Sequence, residues 1–102
     1  MSYTQTTLIK KNATGYVDIN AFITEVEDIY GADTITIKEQ LLSSGNILSS
    51  TFNAYLEGSE YVYASVIVWR DEEAYTSNIN NSLTADERSA ADSAYTITRS
   101  FV

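Results

Sequence analysis

Residues 60–73 read EYVYASVIVWRDEE. Alternation sorts the strand-like part of this run by face. Val62, Ala64, Val66 and Val68 point one way; Tyr61, Tyr63, Ser65, Ile67 and Trp69 point the other. Both rows are apolar. An antiparallel sheet with helices on one side usually carries polar residues on its other side, and this strand does not. Facing outward, the aromatic row would expose a patch of roughly several hundred Å², the size that marks an interaction surface. The expected cover is a second copy packed sheet against sheet, burying about 800 Å² on each partner.

The flanking segments supply the rest of the architecture. YTQTTLIKK (3–11) has the Thr-rich, β-branched character of a strand, and NATGY (12–16) reads as a loop. DINAFITEVEDIYG (18–31) places Ile19, Phe22, Ile23, Val26 and Tyr30 on one helical stripe, with Asp18 to cap it and Gly31 to end it. Its other face, including Glu25, Glu27 and Asp28, suits water. DTITIKEQLLS (33–43) alternates Ile35, Ile37, Glu39 and Leu41 with polar neighbours, which predicts a strand. After the turn SSGN (43–46), ILSSTFNAYLE (47–57) predicts another, with Leu48, Phe52, Ala54 and Leu56 on one side. Beyond the strand at 60–70, DEEAYTSNINN (71–81) is expected to be a helix capped by Asp71. TADE (84–87) matches a capping box and starts a short helix through Ala94, and YTITRSFV (95–102) closes the chain as a strand. The predicted order is β-α-β-β-β-α-β. It implies one α+β domain over 1–102, a ferredoxin-like two-layer sandwich with an antiparallel sheet and its helices on one face.

Composition limits the partners. The chain has 102 residues, 14 acidic and 6 basic, for a net charge of −8. A chain this short buries a modest fraction of its surface, so association is a natural source of extra stability. The basic residues Lys10, Lys11, Lys38, Arg70, Arg88 and Arg99 are scattered, and no basic patch exists to neutralise phosphates; nucleic acid and anionic membranes are not expected partners. With no Cys, no secretion-type leader and no long apolar run, the expected setting is the cytoplasm. The sequons at Asn12 and Asn80 read as chance in that setting.

No constellation of residues specifies a reaction. The chain has no His, so Ser-His-Asp and Cys-His sites cannot form, and with no Cys either, zinc held by such ligands is ruled out. No two Gly lie close enough for a phosphate cradle. No metal and no cofactor are expected. The carboxylate pair Glu25 and Asp28 and the run Asp71–Glu73 read as a solvated helix face and a helix N-terminus. The candidate pocket residues are Tyr61, Tyr63, Trp69 and Arg99. The three aromatics either pack a dimer contact or wall a pocket that stacks on an aromatic or acyl molecule. Arg99, between Ile97 and Phe101 on one face, must snorkel, meet a ligand anion or pair with an acid, for which Glu39 is the expected partner. Lys38 and Arg70 are expected at the surface.

A strand that ends in Trp and runs into an acid-capped helix, VIVWRDEEAY (66–75), resembles the dimeric α+β barrel superfamily, which includes antibiotic-biosynthesis monooxygenase-like and EthD-like proteins. The resemblance implies a ferredoxin-like fold, sheet-to-sheet pairing and a small-molecule cavity between sheet and helices. The chain departs from that pattern by one additional strand in 33–57, and lacking His it cannot hold haem as some members do. Three functions are expected on these grounds: a homodimeric protein binding an apolar or aromatic small molecule, a cofactor-independent oxygenase or isomerase, and an interaction module without a ligand.

Overall fold

The Trp69 strand is β3 of a four-stranded sheet. The computed structural model describes residues 1–79 and 85–102. The elements run β1 (Tyr3–Asn12), α1 (Ile19–Ser43), β2 (Ile47–Glu57), β3 (Glu60–Trp69), α2 (Glu72–Asn78), α3 (Ala85–Ala94) and β4 (Thr96–Phe101). The sheet order is β2-β3-β1-β4 with every neighbour antiparallel. This is the ferredoxin-like α+β fold.

One predicted strand is a helix. Residues 33–43 continue α1, so the order is β-α-β-β-α-α-β and the additional strand does not exist. The run 34–41 satisfies two periods at once. Its Thr/Ile alternation suits a strand, while Thr34, Ile37, Lys38 and Leu41 recur at helical spacing. Tertiary contacts select the second. Gly31 breaks α1 with φ 70° and ψ −179°, a backbone region open almost only to glycine. The helix restarts at once because Glu87 of α3 caps it from outside: its Oε1 accepts from the Thr34 backbone N–H at 2.8 Å and from the Thr34 hydroxyl at 2.6 Å. The strong helix formers of KEQLL then carry it to Ser43.

The other helix starts obey their caps. Asp18 accepts from the Ala21 N–H at 3.0 Å, and Asp71 from the Ala74 N–H at 2.8 Å. α2 is shorter than the predicted 71–81. Its expected last residues, the Thr84 end of the capping box and the Asn80 sequon lie outside the described residues.

Register assigns the two faces of β3. Opposite partners in a sheet share a face, so Tyr61, Tyr63, Ser65, Ile67 and Trp69 sit with Gln5, Thr7 and Ile9 of β1 and Ile97 and Arg99 of β4. The helices cover this side. Its core is two clusters: Ile9, Phe22, Val26 and Tyr95, and Ile47, Trp69 and Ala74. The aromatic row is therefore not the outward one, as the sequence suggested. A bulge between Ile47 and Ser49 shifts β2, so Ile47 takes the core position that simple alternation assigned to Leu48, and Leu48 is left 57% exposed.

The outer face carries Leu8, Val62, Ala64, Val66 and Val68, bordered by Thr4, Thr6, Thr51, Thr98 and Ser100. Among the described residues, no helix packs on it. At one end the Lys10–Glu57 ion pair (3.6 Å) bridges β1 and β2 across β3, and Val62 beneath it is fully buried. Leu8, Ala64, Val66 and Val68 remain only partly covered.

Glu25, expected in water, ties three segments together. Its Oε1 accepts from the hydroxyls of Tyr16 (2.7 Å) and Tyr95 (2.6 Å), and Lys11 Nζ lies 3.7 Å away. These hydrogen bonds, the Tyr95 one foremost, hold the Glu25 carboxyl below its ordinary pKa. A depressed carboxylate pKa adds stability above the unfolded-state value, and that stability is lost as pH falls through the folded-state value. Thermal melts between pH 7 and pH 3 should therefore show a steeper acid loss for the native chain than for Glu25→Gln. Parallel curves would remove Glu25 as a source of acid sensitivity.

Candidate functional site

The break at Gly31 spreads α1 over both core clusters, and a cavity of about 200 Å³ lies between them. Its floor is the aromatic side of the sheet: Ile9, Tyr63, Ser65, Ile67 and Trp69, with Gln5 and Thr7. Its roof is the inward side of α1, from Val26 through Tyr30 and Thr34 to Leu41. Asn78, Ile79, Arg88 and Arg99 contribute from the α2, α3 and β4 side.

Of the four candidate residues, the fold brings Tyr63, Trp69 and Arg99 to this cavity and leaves Tyr61 outside it. Tyr61 instead packs at 5.6 Å from the Phe22 ring and 5.9 Å from the Tyr16 ring. Tyr63 is held flat by Phe52 of the edge strand β2, with ring centroids 4.7 Å apart and planes within 2°. Burial pushes the Tyr63 phenol up to about 12, so at neutral pH it keeps its proton.

Trp69 is 3% exposed, and its indole N–H donates to Gln5 Oε1 at 3.0 Å. Gln5 in turn donates from Nε2 to Thr7 Oγ1 at a long 3.5 Å. Two buried polar side chains on the inner row of β1 thus fix the indole and leave its ring to the cavity. The strand pattern held a signal for them: Gln5 and Thr7 share a parity with Ile9, and a polar pair on a core-facing row needs partners.

Arg99 pairs with Asp92 of α3 at 3.0 Å, not with Glu39, which is exposed on α1. It also lies beside Tyr30, whose phenol is raised above its ordinary pKa by burial against the opposing pull of this guanidinium. Lys38, expected at the surface, is half-buried on the cavity wall because residues 33–43 are helical, and Arg88 joins it from α3.

No protein-family model matches the chain, and no curated protein matches it. Solved structures do. A point variant of SnoaB, a cofactor-independent oxygenase from Streptomyces nogalater, aligns with TM-score 0.70 and 13% identity over 99% of this chain and 90% of that one. A dimeric ferredoxin-like protein from an uncultured marine organism aligns with TM-score 0.70 and 17% identity, over 99% and 92% of the two chains. A de novo designed protein aligns with TM-score 0.60 and 10% identity, over 100% and 97%. The chain is similar to all three in its ferredoxin-like α+β architecture. That a designed chain shares it too shows that the likeness speaks to fold and leaves function to the site.

Among the described residues, no helix is long and apolar enough to cross a membrane.

Proposed function

We propose that the protein is a homodimer, paired through the outer sheet face, in which each copy holds a small apolar or aromatic molecule between sheet and helices. The observation that carries the binding half is the cavity itself: space is kept between two well-packed clusters, walled by Tyr63, Ile67 and Trp69. An apolar cavity of about 150 Å³ takes a benzene-sized guest, so about 200 Å³ suits a single ring or a short acyl chain. The pairing half rests on the uncovered Leu8–Val68 strip, and the marine neighbour, itself described as dimeric, supports it. A cytoplasmic setting belongs to the same proposal, since a chain without Cys needs no oxidising compartment to fold.

The oxygenase or isomerase reading draws on the SnoaB likeness alone. A proton-abstracting reaction needs a base on the cavity wall. Glu27 is the one carboxylate there among the described residues, and it is exposed; Tyr63 is held protonated. The binding reading is therefore preferred.

Trp69 is the only Trp, so its fluorescence reports this cavity directly. Titration with a panel of aromatic ketones and short fatty acids should quench or shift its emission, saturably, for at least one class. An unresponsive Trp69 across the whole panel would remove the binding reading.

A further inference from the structure

The chain carries 14 acids against 6 bases, so every base has acids to spare. Four bases take one: Lys10 with Glu57 (3.6 Å), Lys11 with Glu25 (3.7 Å), Arg70 with Asp71 (3.2 Å) and Arg99 with Asp92 (3.0 Å). The two without an ion pair among the described residues are Lys38 and Arg88, and both line the cavity. Residues 80–84, Asn-Asn-Ser-Leu-Thr, contain no acid. Arg88 Nε is buried and has no hydrogen-bond acceptor among the described residues.

The fold brings both cations to the wall of the same cavity. Lys38 comes one helical turn after Thr34 on the inward side of α1, and Arg88 comes next after Glu87, which grips Thr34 at 2.6 Å. The lining therefore holds Lys38, Arg88 and Arg99 against a single carboxylate, Glu27, in a protein whose net charge is −8. A partly buried guanidinium without an acid is costly unless an anion reaches it. Arg and Lys together favour a carboxylate, which Arg can clasp with two parallel N–H donors.

We infer that the cavity takes a ring-bearing monocarboxylate, its carboxylate between Lys38 and Arg88 and its ring against Trp69 and Ile67. This rests on the binding reading above and adds to it the charge and orientation of the guest. The acidic exterior slows anions on approach, so recognition depends on these two local cations rather than on long-range attraction.

The test uses the 102-residue chain, labelled with ¹⁵N, and tracks the single indole N–H signal of Trp69. The probes are benzoate, phenylacetate and cinnamate, each beside its neutral carboxamide, and phenyl phosphate. At least one carboxylate should bind at least about tenfold more tightly than its carboxamide, the scale of one charge-assisted contact. Lys38→Met and Arg88→Met should each weaken that carboxylate by at least about threefold and leave the carboxamide unchanged. Should Arg88→Met fail to fold by circular dichroism, Lys38→Met, on the flank of a long helix, still decides the matter. Equal binding of acids and carboxamides would overturn the carboxylate assignment while leaving the cavity as a binding site. Phenyl phosphate binding without any carboxylate would overturn it in favour of a dianion. Silence from every probe, neutral and charged, would overturn the inference together with the binding reading.

Discussion

Gly31→Ala should lower the stability of the protein by about 2–4 kcal/mol, summing about 1–3 for the backbone and about 1 for the cap. At φ 70° and ψ −179°, Gly31 occupies a region that a Cβ excludes, and the added methyl would also meet the Glu87 carboxylate. Relief requires the chain to re-form a regular helix through position 31 or to push α3 away. Either movement separates Glu87 from Thr34 and releases the restarted helix. For a domain of this size the loss corresponds to a melting temperature lower by at least about 10 °C. Glu87→Ala, which removes the cap and keeps the glycine, should lose about 1 kcal/mol only. The ordering of the two variants is the diagnostic. Gly31→Ala within about 0.5 kcal/mol of the native chain would mean that α1 has no break at this point. Because the same contact joins the two helices that carry Lys38 and Arg88 to the cavity wall, Gly31→Ala should also blunt any response of Trp69 to added carboxylates.

That region is also where the sequence misleads, and the reason is physical. Residues 18–30 show one period and one cap, and Gly31 is legible as the end of a helix. Residues 33–43 carry two periods, and the group that chooses between them, Glu87, lies more than fifty residues away. Local propensity contains no trace of a cap supplied across the fold. Taken as a strand, this segment hides part of the cavity roof, since Thr34, Lys38 and Leu41 reach its wall only as a helix. β3, in contrast, is legible in full as a strand with two apolar faces, because alternation is a local property. Which face the helices cover is not. That depends on the register with β1, where Gln5, Thr7 and Ile9 fall opposite Ile67, Ser65 and Tyr63. Arg99 is readable as a residue in need of a partner, while the identity of that partner, Asp92, depends on where α3 docks.

Val66→Asp should convert the protein to a folded monomer. Val66 sits mid-strand on the outer face, opposite Thr6 on one side and Thr51 on the other, with Ala64 and Val68 before and after it in the row. In a two-fold pairing each substitution occurs twice, so two carboxylates would be forced together in an apolar contact. Like charges so placed cost several kcal/mol, a weakening on the order of a thousandfold. Folding of the single chain should survive, because Val66 is only half-buried within it and makes no part of the two core clusters. Four strands at about 4.8 Å spacing and about 3.3 Å per residue present a flat area of about 600 Å². Contoured by side chains, that approaches the roughly 800 Å² per partner of a stable dimer. A control on the rim, Ser100→Asp, should weaken pairing far less, since Ser100 lies on the edge strand.

The two apolar faces of β3 need two covers, and the helices of one chain provide one. Sedimentation velocity of the native protein at micromolar concentration tests this most directly. The expected species has twice the chain mass of 11.3 kDa, and it should fall to the single-chain value in Val66→Asp. A native protein sedimenting as stable single chains across that range would contradict the account.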